Sequence, residues 1–465
     1  MAEWEAGGGL SRAAGLGVPG ASLDLPLHYL PDWQSHLRAF PLSPQLPLGG
    51  EATTASAQWR RHAALYLAHL LPGGAAERGV AQALDPQAHQ AHPAQASIKR
   101  NALEGLPVLM ACGDDLPGAV GLRGRRRSPP WMPQRELLPE SLADRLQGPA
   151  EQWLLLDERG ERVLPWWPAP AVGAGAMDSL PMLGVYVDQG RWWWTRTPQM
   201  ASTHLLEAAP RQAGGEAALF NKLFCLRLAA RLGLDVATVE LLPLPQPVLQ
   251  FQRWDRLRLD DGRVRRLHAV SAGQALGLWP DEHTASTHPP PPWTRLGKLL
   301  SHSPQPLVDR RALMRWWVFQ ALIGSGDAGP SDLWFYLDHT GLRLAPVMNL
   351  RCPLAPHGKG SWRGATGGPL GRAELSSRWQ MTPPVNAAKD WALAAKACGA
   401  KPRSLALELR RMCEAAPLEA SVLASAAGAE VPADVAHAIA AVVAAQSARQ
   451  MAWVEDLLHT DHRDL

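Results

Sequence analysis

Lysine is scarce in this chain: only seven of 465 residues are lysine, and none lies between Lys99 and Lys222. An excess of one charge is also missing, because 46 basic and 43 acidic residues leave a formal net charge of +3. A charge that small does not by itself indicate nucleic-acid binding. The gap in lysine means that residues 100–221 can supply no lysine to a phosphate group.

Cysteine is equally sparse, with five residues that are scattered and form no CxxC pair. This pattern excludes a disulfide framework or a zinc ribbon and is typical of a reducing compartment. The N-terminal stretch has no signal-peptide pattern, and no apolar run reaches membrane-spanning length. We therefore expect a cytoplasmic protein with no membrane partner.

The length allows two or three domains. The composition and hydrophobic pattern along the chain predict four segments in an α+β protein. Residues 1–125 form a small N-terminal α/β subdomain, and 126–176 are a connector rich in Pro, Gly and Ala. Residues 177–300 alternate strands with one amphipathic helix over 215–232. Residues 301–465 begin with an apolar helix over 309–323, with Asp309 as a candidate N-cap, and end in Ala-rich helices over 385–415 and 432–458.

Twenty tryptophans include a triplet at Trp192–Trp194. Aromatic packing within the fold is the favoured interpretation. A platform for stacking bases is the alternative, and it requires basic residues interleaved on one exposed face.

Acidic and amide side chains follow the helix over 309–323 at intervals that suit phosphoryl transfer. Asp327 and Asp332 lie in the loop after the helix, and Asn349 follows the next predicted hairpin, over 333–345. In phosphoryl transfer one carboxylate orients the nucleophile, while oxygen ligands from two loops hold a divalent metal. Taken alone, Asp327 fits a turn or helix cap almost as well.

The run VFQALIGSGDAGPSDLWF at 318–335 and the run LAPVMNL at 344–350 are similar to the catalytic and metal loops of the HipA family of serine/threonine kinase toxins. The resemblance implies a protein-kinase-like fold with a largely helical C-terminal lobe. It also implies Asp327 as the catalytic residue and Asp332 and Asn349 as ligands of Mg²⁺. The family's metal-binding Asn and Asp have exchanged places at these two positions.

Further motifs in the same order extend the resemblance over about residues 50–125 and 177–360. STHLLE at 202–207, NKLFCLRLAARLGL at 221–234 and FQRWDR at 251–256 resemble the family's nucleotide-side segments. They imply that Glu207, Arg253 and Asp255 line a degenerate ATP pocket. Glu207 replaces the family's ATP-contacting lysine, and Lys222 replaces its helix glutamate. We expect these two side chains to form an ion pair of reversed polarity.

Three functional hypotheses follow from these departures. The first is a HipA-like pseudokinase that keeps the fold and partner binding but transfers phosphoryl groups weakly or not at all. The second is an active, divergent Ser/Thr kinase toxin that uses ATP and Mg²⁺, with Arg191 or Arg196 meeting the phosphates. The third is a regulator associated with nucleic acid through the loop of Arg125, Arg126 and Arg127.

The family also implies partners: a HipB-like helix-turn-helix antitoxin or a protein substrate. Nucleic acid would then be reached only indirectly, through the antitoxin. The chain itself shows no helix-turn-helix pattern strong enough for direct DNA binding.

Overall fold

The computed structural model describes residues 29–49, 56–71, 109, 115–121, 135–138, 155–156, 162–163, 166–167, 182–194, 201–209, 215–242, 244, 246–278, 292–325, 328–353, 382–383, 385–426 and 430–460. Most of the predicted connector over 126–176 lies outside these residues. Asp327 and the arginine loop lie outside them as well.

The described residues of the N-terminal part include helices α1 (Pro31–Gln34) and α2 (Ala57–Ala68). Helix α2 begins after Ser56, whose hydroxyl caps it by accepting a hydrogen bond from the backbone NH of Trp59 at 3.1 Å. The Trp59 side chain is buried in the main hydrophobic core. The N-terminal part therefore packs as an integral layer of the fold.

The first nine described strands are β1 (Arg135–Leu137), β2 (Leu155–Leu156), β3 (Arg162–Val163), β4 (Trp166–Trp167), β5 (Met182–Asp188), β6 (Arg191–Trp194), β7 (His204–Ala208), β8 (Val239–Leu242) and β9 (Val248–Gln252). Seven of them form the main antiparallel sheet, in the order β1-β6-β5-β7-β9-β8, with β4 also paired with β5. Strands β2 and β3 pair only with each other.

Strands β5 and β6 form a hairpin in which Asp188 lies opposite Arg191. Its two central residues, Gln189 and Gly190, both have positive φ, at 48° and 74°. Two-residue hairpin turns of this kind match the right-handed twist of the strands they join. The turn holds β5 and β6 in register, and β5 pairs on its other side with β7, the strand that carries Glu207.

Trp192 and Trp193 point to opposite faces of β6, as alternation along a strand requires. Trp192 packs with the cluster around Leu183 and Val185, and Trp193 packs with the cluster around Tyr186. The packing interpretation is confirmed for these two tryptophans. A shared stacking platform is not what they form.

Helix α3 (Gly215–Arg231) packs against the sheet and is followed by Gly233 at φ +81°. The backbone NH of Leu234 donates to the carbonyl of Ala229 at 3.0 Å, and that of Gly233 donates to Ala230 at 2.9 Å. These bonds satisfy carbonyls at the helix end in the manner of a glycine-terminated helix. The amphipathic helix predicted over 215–232 thus ends just before Gly233.

A second sheet takes strands from both sides of residue 300. Strand β12 pairs with β13, which pairs with β14, and a separate hairpin joins β10 to β11. Their bounds, with the short helix between them, are β10 (Arg256–Arg258), β11 (Val264–Arg266), β12 (Ala269–Ser271), α4 (Ala272–Leu276), β13 (Trp334–Asp338) and β14 (Gly341–Leu344). The catalytic-loop region thus lies directly beside the end of β12.

Helices make up the rest of the C-terminal portion. They are α5 (Pro292–Leu299), a 3₁₀ turn (Leu300–His302), α6 (Pro306–Leu322), α7 (Ala388–Ala397), α8 (Pro402–Ala426), α9 (Ala433–Met451) and α10 (Val454–His459). The predicted helical segment over 385–415 is divided between α7 and α8, because the chain breaks at Gly399, where φ is +65°. No described helix has both the length and the apolarity to cross a membrane.

The expectation that Asp309 caps the apolar helix predicted over 309–323 is wrong. Helix α6 begins one turn earlier, at Pro306, since proline has the φ that a first helical residue needs. Asp309 is buried inside the first turns and accepts hydrogen bonds from the Ser303 hydroxyl and, at 3.1 Å, from the Leu344 NH. It therefore ties α6 to β14.

Candidate active site

Asp332 is held by the turn that leads into β13. Its Oδ2 accepts a hydrogen bond from the backbone NH of Gly329 at 2.7 Å, and its own NH donates to the Gly329 carbonyl at 3.1 Å. The residue is 7% exposed. This local ring of bonds fixes the carboxylate close to the start of the strand.

Asn349 reaches Asp332 from the other loop. The segment before it is anchored at Val347, whose NH donates to Asp235 and whose carbonyl accepts from Ala237, both at 2.9 Å. The Asn349 Nδ2 then lies 2.5 Å from Asp332 Oδ1. Folding thus brings together the two residues that the sequence predicted as metal ligands, 17 positions apart.

The Asp332–Asn349 pair offers carboxylate and amide oxygens, the donor types that Mg²⁺ takes in proteins. The amide of Asn349 donates to the carboxylate, so its oxygen must turn toward any cation that the pair would hold. Together the two side chains offer one carboxylate and one amide oxygen to a divalent ion. Among the described residues there is no group of three or more His, Cys, Asp or Glu placed to hold a metal.

Glu207 and Lys222 meet as expected from their exchange. Glu207 lies on β7, Lys222 lies on α3, and Lys222 Nζ is 2.6 Å from Glu207 Oε2. The two side chains are 14% and 9% exposed. The ammonium also lies 5.1 Å from the centroid of the Phe251 ring, a favourable position for a cation. The predicted ion pair of reversed polarity is confirmed.

Asn221, next to Lys222, fastens helix α3 to the metal loop. Its Nδ2 donates to the carbonyl of Cys352 at 2.9 Å, and its Oδ1 accepts from the NH of Cys352 at 2.8 Å. The residue is 1% exposed, so both bonds form away from water. Asn221 thereby fixes the backbone three residues beyond Asn349.

Arg253 and Asp255, predicted in the nucleotide pocket, are each 1% exposed and lie in a buried ion network. Arg253 grips Asp255 with two bonds, from Nε at 3.0 Å and from Nη2 at 2.9 Å. Its Nη1 donates to the Ser202 hydroxyl at 2.7 Å and to Asp115 at 3.2 Å. This geometry favours a structural role, and a nucleotide contact stays a prediction.

Arg256 completes the network from the opposite side. It donates to Asp255 Oδ2 at 2.8 Å and to Asp115 Oδ1 at 3.1 Å. The NH of Gly118 donates to Asp255 Oδ2 at 2.8 Å as well. The two arginine charges lower the pKa of the Asp115 and Asp255 carboxyls against the opposing effect of burial. Segment 115–121 is therefore bound to the nucleotide-side sheet by matched charges.

Other predicted positions are placed less directly. Arg191 lies on β6 with its Nη1 3.9 Å from Glu136, and its side chain is 58% exposed. Arg196, the arginine loop and Asp327 lie outside the described residues. The role of Asp327 as catalytic residue therefore stays a prediction.

Sequence reasoning missed Asp115, Ser202, Asn221 and Arg256 as functional or supporting residues. A signal for each was present, because all four lie within motifs that carry the family resemblance. The family resemblance alone predicts catalytic or ligand-binding roles for the polar residues of these motifs. The structure shows that several of their polar residues hold the segments together.

An antiparallel sheet that carries Glu207, a helix that carries Lys222 and a loop–hairpin unit that carries Asp332 and Asn349 define a protein-kinase-like fold. The model of the HipA-like C-terminal domain matches residues 185–420, slightly more than half of the chain. The chain belongs to this family.

Two curated relatives extend the likeness beyond the matched domain. A putative kinase, Y4mE, of Sinorhizobium fredii (strain NBRC 101917 / NGR234) is 29% identical over 346 residues, which cover 71% of this chain and 73% of the relative. The serine/threonine-protein kinase toxin HipA of Shewanella oneidensis (strain MR-1) is 22% identical over 336 residues, 70% of this chain and 69% of that protein.

A solved structure gives the fold independently. A chain of the Shewanella oneidensis MR-1 complex of HipA, HipB and operator DNA superimposes with a TM-score of 0.68 at 19% identity. The match covers 94% of both chains. The expected α+β, HipA-like kinase fold is confirmed.

Proposed function

We propose that this protein is a HipA-like pseudokinase of the toxin–antitoxin type, with weak or no phosphoryl transfer. The Glu207–Lys222 ion pair carries the proposal. On the strand where the family resemblance implies an ATP-contacting lysine, this chain presents a carboxylate that is already paired at 2.6 Å.

The phosphate side of the pocket does not fit ATP. Like charges in a partly desolvated site repel strongly, and Glu207 would face the phosphates. Lys222 cannot take over, because it lies over Phe251 and is bound to that carboxylate. No other lysine is available between residues 100 and 221.

The metal side is better preserved. Asp332 and Asn349 would hold one Mg²⁺, which in kinases neutralises phosphate charge and positions the transferred group. The chain's own contribution is to hold the two side chains 2.5 Å apart through the Gly329 turn and the Asn221 clamp. The exchange of Asp and Asn keeps one negative charge in the pair. The carboxylate now lies at position 332, and position 349 carries an amide.

A calorimetric titration of the whole chain with ATP and Mg²⁺ tests the proposal, with Asp327→Ala as the comparison. We expect no binding in the micromolar range for either protein. Micromolar ATP binding by the native chain would overturn the pseudokinase assignment.

The alternative is an active, divergent Ser/Thr kinase toxin, and the close approach of Asp332 and Asn349 is the observation that favours it. Under this alternative Asp327 is the base, ATP and Mg²⁺ are cofactors, and the substrate is a cytosolic protein. Transfer of radiolabelled phosphate to protein that is abolished by Asp327→Ala would establish it. Absence of transfer at millimolar ATP counts against it.

The partner that we propose is a HipB-like helix-turn-helix antitoxin in the cytoplasm. The solved structure that this fold matches contains HipA with HipB and operator DNA, which supports an analogous assembly. Contact with nucleic acid would then be indirect. Copurification of a short helix-turn-helix protein encoded beside this gene is the expected result. A complex with DNA that forms without any second protein would favour the arginine loop at Arg125–Arg127 as the contact.

A further inference from the structure

Three arginines surround one carboxylate where helices α6 and α8 meet. Glu408 of α8 accepts hydrogen bonds from Arg311 at 3.1 Å and from Arg315 at 2.6 Å, both on α6. It also accepts from Arg411 of its own helix at 2.6 Å. The Glu408 side chain is 8% exposed, and the cluster carries a net charge of +2.

Several other ion pairs in the described part of the chain join one arginine to one carboxylate. Arg410 pairs with Glu455, and Arg231 pairs with Glu419. The buried network has two arginines and two aspartates. Glu408 differs because its arginines outnumber it.

Each of the three guanidinium groups also has one nitrogen that is not used in a hydrogen bond to a described residue. Each uses Nε and one Nη nitrogen for its bonds to the protein. The third nitrogen of each, Nη1 of Arg311 and Arg411 and Nη2 of Arg315, makes no hydrogen bond to any described residue. The side chains of Arg311 and Arg411 are 60% and 43% exposed, so the cluster is open to solvent.

Two of the three arginines also bind the end of a helix. Arg315 and Arg411 each donate at 3.3 Å to a carbonyl at the end of α3, Gly233 and Leu232 respectively. A helix C-terminus carries about half a negative charge, which such contacts offset. This accounts for part of one positive charge and leaves the cluster cationic. Arg311 takes no part in that contact.

We propose that the cluster of Arg311, Arg315 and Arg411 around Glu408 binds a tetrahedral oxyanion of the phosphate class. A phosphate dianion matches the net charge of +2. Guanidinium groups bind its oxygens through paired N–H donors, which a halide ion cannot exploit. The anion comes either free in solution or as a phosphoryl group on a larger molecule. The proposal is independent of the state of the candidate active site.

Titration of the whole chain with inorganic phosphate tests this site, with thermal unfolding and calorimetry as the measurements. Chloride at matched ionic strength is the reference, because exposed charges are screened by any salt. We expect phosphate to raise Tm beyond the effect of chloride. Arg311→Gln should weaken phosphate binding about fivefold, the upper range for an exposed ion pair. Arg410→Gln, the neighbouring arginine with its own acidic partner, should leave the affinity unchanged.

A second variant guards against a change in folding. Arg311→Lys keeps the charge but loses the planar pair of N–H donors. Because Arg311 makes no contact with the end of α3, we expect weaker phosphate binding with little change of Tm in chloride. The proposal is overturned if phosphate acts no differently from chloride. It is also overturned if Arg410→Gln and Arg311→Gln lose affinity equally.

Two further probes identify the source of the anion. A phosphoserine peptide is compared with its unphosphorylated form, and a single-stranded oligonucleotide is titrated in parallel. Tighter, Arg311-dependent binding of the phosphopeptide than of free phosphate assigns the site to a phosphorylated protein. The same result with the oligonucleotide assigns it to a nucleic-acid backbone. Binding of inorganic phosphate alone assigns it to the free ion.

Discussion

Lys222 and Glu207 form an ion pair across the interface of α3 and β7, with Nζ and Oε2 2.6 Å apart and both side chains largely buried. The pair has the polarity opposite to that implied by the family resemblance. It keeps the mechanical link between helix and sheet and removes the positive charge from the strand.

A charge-swap cycle tests this link. Glu207→Lys or Lys222→Glu alone should lower the free energy of unfolding by about 3 kcal/mol, since each leaves two like charges in a buried site. The double variant should recover most of that loss in denaturant unfolding. Lack of recovery would show that the two positions are not coupled.

Nucleotide binding by the double variant addresses function. If the reversed pair is the main lesion, Glu207→Lys with Lys222→Glu should bind ATP at least about tenfold more tightly than the native chain, a change of about 1.4 kcal/mol. Calorimetry measures this, and Glu240→Lys on β8, two strands away from β7, is the control for added charge. No gain would mean that other missing phosphate contacts dominate.

Asn349→Asp tests the metal pair. Two carboxylates 2.5 Å apart repel unless a cation or proton lies between them. We expect a lower Tm without metal and a larger rise in Tm with Mg²⁺ than the native chain shows. Thermal unfolding with and without Mg²⁺ is the measurement, and Asp338→Asn, at the far end of β13, serves as the control. Identical Mg²⁺ responses in the native and variant chains would argue against a metal site here.

Asn221→Ala removes the clamp between α3 and the metal loop. It leaves the buried NH and carbonyl of Cys352 without their partner, at a cost of about 2 kcal/mol. If the clamp positions Asn349, Mn²⁺ affinity measured by electron paramagnetic resonance should fall in parallel. Asn221→Asp keeps the acceptor but loses the donor, so its effect should be intermediate. Full Mn²⁺ affinity in a folded Asn221→Ala chain would restrict Asn221 to stability.

Two buried histidines predict how stability depends on pH. The ring of His69 contacts the Leu278 carbonyl at 2.7 Å, that of His268 contacts the Leu42 carbonyl at 2.8 Å, and burial lowers the pKa of both to about 4. The unfolded chain, with histidine pKa values near 6.5, binds protons first as the pH falls. The contribution of these two neutral histidines to the free energy of unfolding is therefore complete above pH 6.5 and is lost as the pH falls from about 6.5 to 4.

Denaturant unfolding at pH 7, 5.5 and 4.5 measures this effect. His69→Gln should reduce the slope of stability against pH in that window by about one proton. His437→Gln, at an exposed residue of α9, is the control for replacing a histidine by glutamine. An unaltered slope in His69→Gln would mean that other groups control acid unfolding.

The order of motifs along the sequence determined the family and the fold, because each motif is a local pattern that survives without its neighbours. The turn at Gln189–Gly190 and the end of α3 at Gly233 were equally local, since both depend on positive φ at particular residues. The exchange at Glu207 and Lys222 could be read in the same way, because both positions lie in recognisable segments.

Only the tertiary structure decided what the polar residues of those motifs contact. Arg253 and Asp255 are buried against Asp115, which lies 138 positions before Arg253, and no local pattern encodes that distance. Glu408 likewise gathers arginines from two helices that are separated by about a hundred residues. Burial and long-range charge pairing depend on the packed chain as a whole, and local spacing cannot determine them.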